Sequence, residues 1–105
     1  MKKLLRELIP VVEYLCSLSA KEVTLHIKTL KPKVLQFLID FLFNIECGHI
    51  FIDAEVVDKI RPYKKQMLSL IVKHKSLKKR KEELAQKGIF HKLFIPLLPV
   101  LRTLA

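Results

Sequence analysis

Between Val34 and Ile45 the chain reads VLQFLIDFLFNI, and only Gln36, Asp40 and Asn44 of these twelve residues are polar. The three recur at i, i+4 and i+8, so on a helix they form one narrow stripe. Every other side of that helix is Val, Leu, Ile or Phe. A helix apolar on nearly all sides must be covered by its own chain, a partner or lipid. About twelve residues is too short for a bilayer, which takes roughly 20. The stretch is expected to be the hub of a helical core or of a subunit interface. Asp40 would be costly in a core without a partner. The stripe is therefore expected to meet solvent or to pair with a Lys or Arg. No second carboxylate or nucleophile is spaced to make Asp40 a functional acid.

The flanking sequence supports an all-α reading: a small bundle of four to six helices with a basic C-terminal helix and an apolar, Pro-containing tail. The chain has only 2 Gly in 105 residues and no stretch of strict apolar/polar alternation. Its length suits one small domain, 1–105. Residues 2–17 carry Leu4, Leu5, Leu8, Val11, Val12 and Leu15 at helical spacing, with Pro10 expected to kink or restart the helix. Ser19 and Glu22 form a capping box, with Leu18 and Val23 at staple positions. The helix they open should end near residues 29–31. Pro32 suits the first turn of the hub helix, and Gly48 its left-handed stop. Asp53 reads as an N-cap, with Glu55 in the first turn. Pro62 should end or bend the next helix, which resumes through about Lys75. Ser76 offers a cap for a separate helix over 77–87. The cations that follow it oppose the helix dipole, which favours one continuous helix. Lys87-Gly88 is a helix stop.

Charge divides the chain. Residues 1–58 hold 7 Lys/Arg and 8 Asp/Glu, whereas residues 59–92 hold 12 Lys/Arg and only Glu82 and Glu83. A near-neutral apolar core, 1–58, thus carries a basic segment, 59–88, and an apolar tail, 89–105. The densest block, Lys73–Lys81, holds six Lys or Arg and His74 in nine residues. Such a block suits phosphate neutralisation with counterion release, and also a nuclear-localisation patch. The expected nucleic-acid-binding residues are Lys59, Arg61, Lys64, Lys65, Lys73, Lys75, Lys78, Lys79, Arg80, Lys81 and Lys87. With Tyr63 the nearest aromatic, base stacking has little support, and binding should be sequence-tolerant.

The tail, IFHKLFIPLLPVLRTLA, contains Pro96 and Pro99, which should prevent one uninterrupted helix. Its apolar side chains would not stay in water unassisted. Three destinations fit: folded back on the hub, docked in a groove of a partner such as a capsid subunit, or shallowly inserted in an anionic membrane. Phe90, Leu93, Phe94, Leu97, Leu98 and Leu101 are the residues expected to make partner or membrane contact. Self-association through the apolar parts is also expected.

Other chemistry is thinly represented. Cys16 and Cys47 are 31 residues apart, with neither a disulfide framework nor a zinc spacing, so a reducing setting is expected. Cys47 and His49 are the one close pair of ligand type, and two ligands make no metal site. His74 falls on the apolar side of its helix and is expected to be packed. There is no phosphate loop and no nucleophile elbow. The chain is read as non-enzymatic, without cofactor, metal or small-molecule substrate. The opening MKKLLRELIPVVEYL starts like a signal peptide, but Arg6, Glu7, Pro10 and Glu13 interrupt it, and an intracellular location, nucleus or virion, is expected.

The second half has a familiar pattern. An apolar helix runs from Leu38-Ile39 to Asn44-Ile45, followed by a Gly and a Lys-rich helix. Then Ser76-Leu77-Lys78-Lys79-Arg80-Lys81 leads to Leu84 and Gln86-Lys87-Gly88, and a Leu/Pro-rich terminus follows, Phe94 to Leu101. On these features residues 31–101 resemble small basic proteins encoded by Maverick/Polinton and adintovirus-type DNA virus-like elements. The resemblance implies a virion or genome-associated component. It brings no catalytic residues.

Overall fold

The computed structural model describes residues 2–72, 74–86 and 88–104. Helix α1 spans Lys2–Ser17, α2 Ala20–Lys28 and α3 Pro32–Glu46. Helix α4, Ala54–Ile60, runs through a 3-10 turn, Arg61–Tyr63, into α5, Lys64–Leu70. Helices α6, Leu77–Leu84, and α7, Ile89–Leu104, complete the chain. With α4, the 3-10 turn and α5 taken as one bent rod, six helical rods form an all-α bundle, and no strand occurs among the described residues.

The boundaries follow local chemistry. Ser19 Oγ accepts from the Glu22 amide and Glu22 Oε1 accepts from the Ser19 amide, both at 3.2 Å, closing the capping box. Asp53 Oδ1 accepts from the Val56 amide at 3.1 Å and starts α4. Pro32 occupies the first turn of α3. Gly48 (φ +79°) and Gly88 (φ +74°) hold the left-handed turns after α3 and before α7, where a β-carbon would be strained. Pro62 converts the α4–α5 junction to a 3-10 turn instead of a full break.

The hub is as buried as its composition demands: Leu35, Leu38, Ile39, Phe41, Leu42 and Ile45 all lie in the core. Its polar stripe faces solvent. Asp40 is exposed and accepts from Gln36 Nε2 at 2.8 Å. No long apolar span is present: no helix among the described residues is long and apolar enough to cross a membrane.

Three expectations are corrected, the first at Pro96 and Pro99, which lie inside one continuous helix. Pro10 also lies inside its helix, which does not restart there. Each proline leaves unpaired the carbonyl four residues earlier, on Arg6, Lys92 and Ile95. Those three residues are exposed, so water can serve the freed carbonyls. In α7 six side chains (Ile89, Phe90, Leu93, Phe94, Leu97, Leu101) are buried, and that burial opposes the loss of the two backbone hydrogen bonds.

Next, the helix expected to run to Lys75 stops at Leu70, and a separate α6 begins after Ser76, whose Oγ accepts from the Lys79 amide. The cations explain the break. Lys75 Nζ donates to the Ser69 carbonyl at 2.8 Å, and the Arg80 guanidinium donates to the Val72 carbonyl. Charges unfavourable at the start of α6 thus serve the negative end of α5. Finally, His74 is exposed at this turn, not packed.

Candidate nucleic-acid interface

The described cations from the basic segment divide by what they touch. Arg80 is only 8% exposed and Lys75 is half-buried, so both belong to the α5–α6 turn and not to an outer surface. Lys75 Nζ also lies 2.6 Å from Glu83 Oε1, and Ser69 Oγ donates to the same oxygen at 2.9 Å. Treating these two cations as surface ligands is therefore corrected. A buried guanidinium could leave its carbonyl only by stranding both groups.

On α4 and α5 the cations face acids. Lys59 lies 3.5 Å from Glu55, Arg61 3.1 Å from Asp58, and Lys64 4.0 Å from Glu46. These pairs are well exposed and worth little individually. They nevertheless cancel much of the field that this rod would present. Lys65 is exposed beside Gln66 and Ser69.

On α6, Lys78 and Lys79 are exposed and make no ion pair among the described residues. Lys81 is half-buried and donates to the Leu30 carbonyl at 3.0 Å, tying α6 to the end of α2. Lys73 and Lys87 lie outside the described residues. Of the described cations of the basic segment, the exposed ones without an ion pair are Lys78 and Lys79 on α6 and Lys65 on α5. Lys59, Arg61 and Lys64 contribute a rim of matched charges.

Sequence reasoning missed the cations that α6 meets from the near-neutral half. Lys28 and Thr24 of α2 line one cleft with Lys78 and Lys81. Lys21 and Thr24 line the adjoining cleft with Gly88, His91 and Lys92. A signal was available: 21, 24 and 28 fall at i, i+3 and i+7, one face of a helix. Lys92 Nζ also sits 5.3 Å from the centroid of the Tyr63 ring.

The six tail residues expected to contact a partner or membrane are in the core. Phe90, Leu93, Phe94, Leu97 and Leu101 are at most 1% exposed, and Leu98 is half-buried. Phe94 stacks on Phe90 at 4.8 Å and on hub residue Phe41 at 6.3 Å. Arg102 donates to Glu13 Oε2 at 2.9 Å, joining α7 to α1. Of the three destinations the tail adopts the first: it folds back on the core, mainly against α1 and α4, and reaches the hub through Phe94.

Elsewhere, His49 Nδ1 lies 3.3 Å from Asn44 Oδ1, while Cys47 is exposed. Burial pushes the Cys16 thiol up to about 11, with Arg102 opposing the shift and Glu13 reinforcing it. An apolar cleft of about 300 Å³ runs along the hub stripe between Phe37, Phe41 and Ile50.

No protein-family model, curated protein or solved structure matches this chain.

Proposed function

We propose that this protein is a non-enzymatic module that binds nucleic acid with little sequence preference. The observation that supports it best is the pair Lys78 and Lys79, exposed side by side on α6 without ion pairs among the described residues, next to Lys81 and Lys28. Cations without acid partners are the ones whose counterions are released when phosphates replace them. A formal net charge of +10 on 105 residues supplies the long-range attraction. Among the described lining residues the one aromatic ring is His91, held 3.3 Å from the Leu15 carbonyl through Nε2, which favours contact with the backbone over readout of sequence.

The resemblance to proteins of Maverick/Polinton-type elements supports a genome-associated role in nucleus or virion. Self-association has support in the apolar cleft by Ile50 and in its neighbour Phe51, which is 86% exposed. The membrane-active alternative would require α7 to leave the core, exposing the stacked Phe90 and Phe94.

The test is an anisotropy titration of a fluorescent 20-base-pair duplex across a salt series. With about six phosphates neutralised, log K should fall against log salt with a slope near −5. Absence of binding at ~50 mM salt would overturn the proposal.

A further inference from the structure

The structure pairs α2 with α6, and with the start of α7, in a way that the division of charge along the chain hides. Two open clefts of about 590 and 510 Å³ lie end to end, and Thr24 lines both. Their basic side chains come from three elements: Lys21 and Lys28 from α2, Lys78 and Lys81 from α6, and Lys92 from α7. Glu82 is the one carboxylate that lines them. We propose that these clefts form a single groove that takes the phosphodiester backbone of a nucleic acid, with the α2 lysines as one wall. This inference rests on the nucleic-acid reading above and assigns its track.

Three features support it. First, the walls are tied at both ends. Thr24 Oγ1 lies 3.1 Å from the Ala85 carbonyl, and Lys81 Nζ donates to the Leu30 carbonyl at 3.0 Å. The cations are therefore presented on packed helices, which lowers the ordering cost of binding. Second, the spacing suits a polymer. Lys21 and Lys28 share a face seven residues apart, about 10.5 Å along the axis at 1.5 Å per residue. A span of that length can accommodate more than one phosphate of a strand. Third, Lys21 and Lys28 are exposed and make no ion pair among the described residues, unlike Lys59, Arg61 and Lys64.

The experiment compares the full-length wild type, Lys21→Gln/Lys28→Gln and the control Arg6→Gln/Lys33→Gln, which removes the same charge outside the groove. Each is titrated against the 20-base-pair duplex across a salt series, with circular dichroism confirming the fold. The groove variant should bind at least tenfold more weakly at 100 mM salt, with a slope shallower by about 1.8, or roughly 0.9 per lost contact. The control should keep its slope within about 0.5, and Lys21→Arg/Lys28→Arg should bind like wild type. An unchanged slope in the groove variant, or an equal loss in the control, overturns the groove while leaving the broader reading in place. Failure of the wild type to bind the duplex, including binding only to anionic vesicles, overturns both. Lysine acetylation footprinting of the wild type gives an independent readout. Lys21, Lys28 and Lys78 should be protected by duplex and Lys33 should not; protection confined to Lys33 overturns the groove.

Discussion

The Lys75 ammonium lies 2.6 Å from the Glu83 carboxylate, across the turn that separates α5 from α6. Both side chains are less than one-third exposed, and Ser69 bonds to each of them. This network spends one cation of the basic segment on architecture. Glu83→Gln leaves Lys75 half-buried without its counter-charge and should cost about 1–2 kcal/mol, below the 3–5 kcal/mol of a fully buried pair. In a domain of this size that lowers Tm by roughly 5–15 °C. Thermal unfolding followed by circular dichroism measures it. A Tm within 1 °C of wild type would show the pair to be inconsequential.

Removing the Phe94 ring tests whether α7 belongs to the core. It is stacked on Phe90 and Phe41, so Phe94→Ala should destabilise by about 3–5 kcal/mol. Ile95, its exposed neighbour, should tolerate Ala within about 0.5 kcal/mol. Urea unfolding of the two variants decides the matter. Equal and small losses would mean that α7 is not packed on the hub.

Acid should loosen the start of α2. Hydrogen bonds from Ser19, side chain first and then backbone, hold the Glu22 carboxyl below its ordinary value of about 4.5. A carboxyl lowered in the folded state contributes stability that is fully present above its unfolded value. That contribution is lost as pH falls through the lower folded value. Ser19→Ala should cost about 1 kcal/mol at pH 7. Its deficit relative to wild type should shrink below about pH 4. A pH-independent deficit would refute the coupling.

The two cysteines should separate kinetically. Cys47 is exposed, whereas the Cys16 thiol is pushed up to about 11 by burial. At pH 8 its thiolate fraction is about a hundredfold below that of an ordinary thiol. Maleimide labelling followed by peptide mapping should therefore modify Cys47 first. Comparable rates at both positions would contradict the packing of Cys16 against the core.

A further substitution isolates backbone strain. A β-carbon at Gly88 would meet only Lys92 Cε, at 4.0 Å, so Gly88→Ala acts through the positive φ alone. The expected loss is about 1 kcal/mol, with Gly88→Asn recovering part of it. No loss in chemical denaturation would place the residue outside the left-handed region.

The primary sequence alone determined where most helices begin and stop. Ser19 with Glu22, Asp53, Gly48 and Gly88 act on groups within about four residues, so their effect can be read without the fold. The all-apolar stretch around Leu38 likewise demanded burial wherever it lay. Only the tertiary structure decided the fate of the prolines, the break before Ser76 and the sorting of the cations. Pro96 and Pro99 stay helical because α7 packs on α1 and α4, and reaches Phe41 of α3 through Phe94, all far away in the chain. Arg80 leaves the surface because its guanidinium donates to the Val72 carbonyl in the turn after α5, and Lys28 joins α6 because Thr24 and Ala85 meet across 61 positions. A residue's charge is written in its identity, but whether that charge faces a phosphate, an acid or a carbonyl depends on partners brought together by folding.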